Sequence, residues 1–340
     1  MMKAFRRCLA GLVLTSLIPM LFLFGCSERK TRPVSNLELW MENNGKVKVL
    51  STTAIIDDVV RQIGGDRIDH IPLICGEIDP HSYELVKGDD EKLSAAQVIF
   101  YNGLGLEHGA SLRYQLEHHD NAIAVGQSIQ ERFPDQIIYV DGQLDPHIWM
   151  DIALWSNIID PILQSLKELD PEGAAIFEQN ADRLRESMLS EHRAIKSDFQ
   201  RVPADRRYLV TSHDAFNYFT RSYLRTPDET EQSQWSIRFE APEGLAPDGQ
   251  LSASDIQRII GHLCAYRIQV VFPESNVSKD SLKKIVHACR QKGLEVGISK
   301  EVLYGDAMGS PGSNADTYLK MIRQNADVMI SAWDREGRTE

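Results

Sequence analysis

Apolar positions along this chain fall into short runs and helical stripes that succeed one another. KVKVLST (47–53) predicts a strand, and AIIDDVVRQIGGD after it carries helical apolar spacing up to a Gly-Gly stop. DRIDHIPLI (66–74) predicts a second strand and QVIFYNGLG (97–105) a third, which ends in a glycine-rich turn. Alternation of this kind predicts a parallel sheet with helical crossovers. After LDPHIWMD a helix is expected through about residue 168, broken at Asp170-Pro171. From Glu172 to about Phe199 the chain is rich in Ala, Glu, Arg, Leu and Lys, with no glycine after Gly173. Such a helix would be about 40 Å long at 1.5 Å per residue, a rigid strut rather than a hinge.

The alternation then restarts. YLVTS (208–212), IQVVF (268–272) and LEVGI (294–298) predict strands. HDAFNYFTRSY begins a helix, LSASDIQRIIGHLCAY carries a Ser-x-x-Asp start at Ser252, and Gly293 ends SKDSLKKIVHACRQKG. A last helix, ADTYLKMIRQNADVMISAW, follows a Pro-Gly turn. The expected fold class is α/β: two (β/α) lobes, each with a mostly parallel sheet, joined by one long rigid helix. Its divisions are 46–170, a linking helix at 171–200, and 201–340; at 340 residues two domains are the better expectation.

The start of the chain departs from this pattern. Lys3, Arg6 and Arg7 precede the apolar run CLAGLVLTSLIPMLFLFG, which ends at Cys26. A basic, then apolar, then small-residue order predicts a signal peptide over 1–25 and an extracytoplasmic protein. LFGC (23–26) has the form of a lipobox, in which a lipidated Cys26 would hold the protein to the membrane. Phe24 is bulkier than such a box usually holds, which leaves simple cleavage open. An uncleaved anchor helix is disfavoured because about 17 apolar residues is short for a span. The polar residues 26–45 read as a flexible tether.

Composition is that of a globular protein, with 42% hydrophobic and 25% charged residues. The net charge of -12, about -15 after cleavage, argues against nucleic acid as a partner. After cleavage three cysteines remain. Cys264 and Cys289 flank a predicted strand and are the favoured disulfide, with three free thiols as the alternative. No CxxC is present, so a thiolate metal site is not expected.

Three of the ten histidines stand apart. His81 and His147 each sit in Asp-Pro-His, where Asp can cap a helix and Pro suits its first position. In that first turn the helix dipole would hold the imidazole neutral, the form a metal needs. His213 follows the strand YLVTS, at the carboxyl end where ligands of open α/β sheets gather. Asp306, Asp316 and Glu274 are candidates for a fourth ligand. Asp316 reads as the cap of the last helix, and Glu274 as an acceptor that orients an imidazole. Three histidines and a carboxylate would suit a borderline divalent ion.

DPHSYE (79–84), NGLGLE (102–107), DPHIWMD (145–151), SHDAFNYF (212–219), FPESNVS (272–278) and LYGDAMGSPGSNADTYLKMI (303–322) together resemble the metal-binding solute receptors of manganese, zinc and iron ABC importers, the treponemal and streptococcal metal-receptor family. The resemblance covers roughly residues 46–335. It implies two lobes bridged by one long helix, with one divalent ion between them bound by His81, His147, His213 and Asp306. It also implies a monomer that hands a metal ion to an importer permease. Receptors dedicated to zinc commonly carry a His-rich loop before the second ligand; residues 131–146 contain no histidine, which leans away from a zinc-only role. Intrinsic affinity would still favour zinc over manganese. A zinc hydrolase of the cell envelope, with Glu274 or Asp214 as base, is the competing reading, although no HExxH pair is present. A surface adhesin is a third, and no dedicated adhesive segment supports it.

Overall fold

A computed structural model describes residues 36–247 and 252–336. The expected signal peptide, Cys26 and residues 26–35 of the tether lie outside the described residues. The remainder of the tether is not a loose connector. Asn36–Met41 forms a helical turn whose Trp40 is buried and donates its indole N–H to the Asp69 carbonyl at 3.0 Å. One large apolar side chain in a polar stretch is enough to dock it.

The first sheet is wholly parallel, in the order β2 (Ile68–Ile74), β1 (Val47–Thr53), β3 (Val98–Tyr101), β4 (Ala122–Ala124). Its central strand β1 is buried on both faces, as a covered parallel sheet requires. A hairpin of two-residue strands, β5 (Tyr139–Val140) and β6 (Gln143–Leu144), then leads into the second Asp-Pro-His. In the second half β7 (Leu209–Val210) pairs with β8 (Phe239–Glu240), and β9 (Val270–Val271) with β10 (Gly297–Ile298), all parallel. The Phe272 N–H donates to the Val210 carbonyl at 2.8 Å, which makes the order β8-β7-β9-β10. β4, β8 and the hairpin were not expected from sequence, because two or three residues carry no readable period.

The strut is Ala174–Gln200, 27 residues. Phe177, Ala181, Leu184, Met188, Ile195 and Phe199 form its buried stripe. It packs on the helices Ala54–Gly64 and Ile159–Leu169 of the first half and on the last helix, Tyr318–Glu336. Arg323 of that last helix pairs with Glu191 and Asp198 of the strut, at 2.5 and 2.7 Å. One apolar core runs from Val47 through the strut to Trp333.

Two local expectations are corrected. Asp316 does not cap the last helix: it accepts the Gly312 N–H and pairs with Lys320, while the Tyr318 N–H goes to Asp58 of the first lobe at 3.0 Å. Cys264 and Cys289 are free thiols, Cys264 exposed and Cys289 buried.

Candidate metal centre

Neither Asp-Pro-His starts an α-helix. In the first, Asp79 accepts the His81 N–H at 2.8 Å and the Ser82 hydroxyl at 2.7 Å, and the chain continues as an irregular loop. In the second, Asp145 accepts the His147 N–H at 2.9 Å, and a 3-10 turn, Ile148–Met150, separates the histidine from the next helix, Ile152–Trp155, which Asp151 caps. Both are Asx turns, in which the aspartate binds the amide two residues on and aims the histidine. No helix dipole is therefore available to keep either imidazole neutral.

Neighbouring motifs fix these loops. At Gly103, Leu104 and Gly105 the backbone is left-handed in succession, with φ of 71°, 56° and 83°. Glycine adopts this freely, whereas Leu104 is held there by its own burial. The buried Glu107 closes the turn by accepting from the Asn102 and Gly103 amides and the Thr52 hydroxyl. Asn102 in turn donates to the Pro146 carbonyl at 3.1 Å, seating the second Asp-Pro-His. Glu84 accepts the Ala110 and Ser111 amides at the start of the helix Ala110–His118.

His213 lies three residues beyond β7. Glu274, just past β9, accepts the Ser212 and His213 amides on one oxygen and lies 2.8 Å from His213 Nδ1 with the other. Asp306 sits in the loop after Leu303, which is bridged to Glu274. The Trp149 indole N–H donates to the Gly305 carbonyl at 2.9 Å, so the first lobe steadies the Asp306 loop. A Cβ on Gly305 would come within 2.3 Å of Glu274 Oε2 and 3.1 Å of His213 Cε1. The close approach of this backbone to the His213–Glu274 pair requires glycine.

The four candidate ligands converge, and all are buried. His81 Nε2 lies 3.2 Å from His147 Nε2, His147 Nε2 3.4 Å from Asp306 Oδ1, and His213 Nε2 3.1 Å from Asp306 Oδ2. Ligand bonds of about 2.1 Å around a tetrahedral ion put neighbouring ligand atoms about 3.4 Å apart. With His81 Nε2 3.8 Å from Asp306 Oδ2, the observed spacings bracket that value. His213 Nε2 and Asp306 Oδ1 are buried without a hydrogen-bond partner, as expected of atoms shaped for an ion.

Charges around the cluster are unequal. Burial opposes protonation of His147, but the charge and hydrogen bond of Asp145, with Asp306 beside it, raise its pKa to about 9. For His213 burial is likewise overridden, by Glu274 and Asp306, and its pKa lies well above the usual value. His81 has only Asp306 to set against burial and falls to about 3. Burial would raise Asp306, yet the His213 and His147 imidazoles hold it well below the usual carboxylate range. Of the two imidazoles expected to be neutral, His81 is and His147 is not. With Nδ1 facing a carboxylate, His147 and His213 turn the Nε2 lone pair inward once deprotonated.

The remaining sequence candidates are placed as follows. Glu274 is beside His213, as expected of an orienting acceptor, and Asp316 is not in the cluster. Asp214 accepts from Asn217 at 2.7 Å and is pushed up to about 6 by burial, with Asp145 adding to it. Both carboxylates proposed as hydrolytic bases are therefore already engaged. Sequence reasoning missed Asp145, Asn217 and Asn276 as participants. Asn217 bridges Asp214 to Asp145 at 3.1 Å across the lobes, and Asn276 donates to Asp306 at 3.2 Å. The repeated Asp before Pro-His is the one available signal, and in sequence it fits helix capping equally well.

The family described as zinc-uptake complex component A, periplasmic (ZnuA), matches residues 49–332. The chain is 39% identical over 280 residues to the metal-binding protein YtgA of Chlamydia muridarum, covering 82% of this chain and 84% of that one. It is 30% identical over 291 residues to the manganese-binding lipoprotein MntA of Bacillus subtilis, covering 84% and 90%. Among solved structures, Fe(III)-bound YtgA from Chlamydia trachomatis superposes with a TM-score of 0.79 at 36% identity, over 84% of this chain and 97% of that one. The periplasmic zinc-binding protein TroA from Treponema pallidum does so with 0.77 at 29%, over 85% and 99%. The two lobes and long helix expected from sequence are the architecture of these neighbours.

Proposed function

The chain belongs to the ZnuA family, and from that premise we propose that it is an extracytoplasmic receptor that captures one transition-metal ion and delivers it to an ABC importer permease. The ion is held by His81, His147, His213 and Asp306. The observation that carries this is the 3.1–3.4 Å spacing of buried ligand atoms drawn from both lobes. Four protein ligands fill a tetrahedral shell and leave no open position for a reactive water, which suits carriage rather than catalysis. The names of relatives span manganese, zinc and iron. Three imidazoles and a carboxylate accept any of these, so supply decides the cargo as much as affinity does.

The rest of the reading concerns the protein's setting. Residues 1–25 are a signal peptide, Cys26 carries the lipid, and the receptor is a monomer. The chain divides into lobes 46–170 and 201–340 joined by the linking helix 171–200, and the last helix crosses back to the first lobe through Tyr318 and Asp58. Metal analysis with isothermal titration on the lipid-free protein should give one ion per chain. Replacing any of the four ligands by Ala should weaken binding beyond the roughly 10–100-fold expected for an outer partner. Affinity retained in all four variants would overturn the assignment.

A further inference from the structure

The four ligands are buried, so an arriving ion needs a way in. A cavity of about 400 Å³ reaches His81, and His108, Gln127, Gln143 and Pro146 also line it. Its neighbour, a cleft of about 720 Å³ sharing Gln143 and Leu245 with it, is lined by Asp141, Asp214, Glu240, Glu243 and Asp255 against the cation Arg258, which pairs with Glu240 and Asp255. Acidic walls of this kind raise the local concentration of cations. His108 is half-buried where the inner cavity meets His81.

His108 is set up as a ligand. Its Nδ1 lies 3.2 Å from the Gly105 carbonyl, an acceptor only, so the proton sits on Nδ1 and the Nε2 lone pair is left free. That carbonyl belongs to the left-handed turn which Glu107 holds shut. The ring centroids of His108 and His81 are 5.6 Å apart. Pairs among the three site histidines are 5.2, 5.3 and 6.2 Å apart, so His108 and His81 have the spacing of imidazoles sharing an ion. Yet His108 lies outside the set of four whose ligand atoms all come within 4.8 Å of one another. It stands beside the final site without belonging to it.

We propose that this cavity is the ion's route to the buried centre and that His108 is a transfer ligand within it. An incoming aqua ion exchanges one water for His108 Nε2, is shared with His81, and then passes inward to His147, His213 and Asp306, shedding its remaining water. No redox change or covalent step is involved. The proposal rests on the metal-receptor reading and adds a kinetic role to it. A waypoint lowers the barrier in both directions, so it changes rates and leaves the equilibrium alone.

The test is stopped-flow binding and release of Zn²⁺ and Mn²⁺ by the mature full chain, followed through fluorescence of Trp149, whose ring edges onto His147 at 5.3 Å. The variants are H108A and H108F, the latter keeping an aromatic ring in the cavity without a lone pair. Both should slow association and dissociation together, by roughly tenfold, with the dissociation constant within about threefold of wild type. Unchanged rates in both variants would overturn the proposal, as would wild-type rates in H108F, which would make ring shape the cause. Weaker affinity with unchanged association would also overturn it, placing His108 in the final site or the framework. Wild-type chain that binds no ion would instead bring down the receptor reading itself.

Discussion

The two lobes build their halves of the centre on unlike frames. In the first, β1 and β2 each run seven residues and pair along most of that length. In the second, each of the four strands is two residues long. His81 and His147 leave the longer frame through Asx turns, and Asn102 further seats the second of these. His213 and Asp306 depend on side chains instead: Glu274 under His213, Asn276 on Asp306 and Trp149 across the cleft on Gly305. A long ladder opens only as a unit, whereas short strands open locally. The second lobe is thus the half able to yield when the ion leaves, while the strut and last helix keep the lobes from swinging widely.

The sharpest way to probe this contrast is the proton. Each lobe supplies one imidazole backed by a carboxylate, His147 on Asp145 and His213 on Glu274. In the metal-free chain His147 titrates at about 9, above the free imidazole value near 6.5, so it is charged at pH 7. His213 is raised in the same sense, and His81, at about 3, is already neutral. Titration in buffers of different ionisation enthalpy should therefore show about two protons released per ion at pH 7. Affinity should fall by up to about 100-fold per unit as pH drops below 7, and climb towards pH 9. The raised His147 pKa also stabilises the metal-free fold below about pH 6.5 and is lost as pH rises to 9. Its melting temperature should accordingly decline over the window in which metal affinity grows. Release of no proton at pH 7 would mean the two halves do not share this electrostatic design.

The next effect separates the lobes directly. E274Q keeps an acceptor for the Ser212 and His213 amides but sets an N–H opposite His213 Nδ1, which pushes the ring's proton to the metal side. D145N keeps an oxygen for the His147 amide and Nδ1, which share Oδ1, but removes the charge and sets an N–H against the Asn217 amide that Oδ2 accepts. Each should cost about 10–100-fold in affinity by titration calorimetry, with the larger loss in E274Q, where the new N–H faces the ring itself and the strands beneath are shorter. Equal losses would argue that the frames are equally rigid.

The smallest effect is steric. G305A presses a methyl onto the His213–Glu274 pair, and thermal unfolding should show about 1–3 kcal/mol of destabilisation. Unchanged stability would show that the Asp306 loop shifts freely, a stronger form of the same asymmetry.

Much of this was legible along the chain. The strut was expected from Glu172 to Phe199 and runs Ala174–Gln200; the capping box at Ser252 is present in full. The ligand candidates stood out as histidines beside Asp-Pro or at a strand's end. What escaped was whatever lacked local periodicity: β4, β8 and the β5–β6 hairpin, the helical turn anchored by Trp40, and the hydrogen bonds of Asp145. Asx turn and helix cap look alike in sequence, because in both the aspartate accepts an amide two or three residues on. Only the path of the following residues tells them apart.

The sequence by itself determined the elements, their alternation, and which residue types could hold a metal ion, because period, capping and turn chemistry act over a few residues. The tertiary structure decided that Asp306 rather than Asp316 faces the histidines, that Asp58 binds the first amide of the last helix, and that His147 is charged where His81 is neutral. The first two outcomes depend on groups tens to hundreds of residues apart; in the third the near partner Asp145 counts as it does because burial and the distant Asp306 surround the pair. No local pattern carries that information.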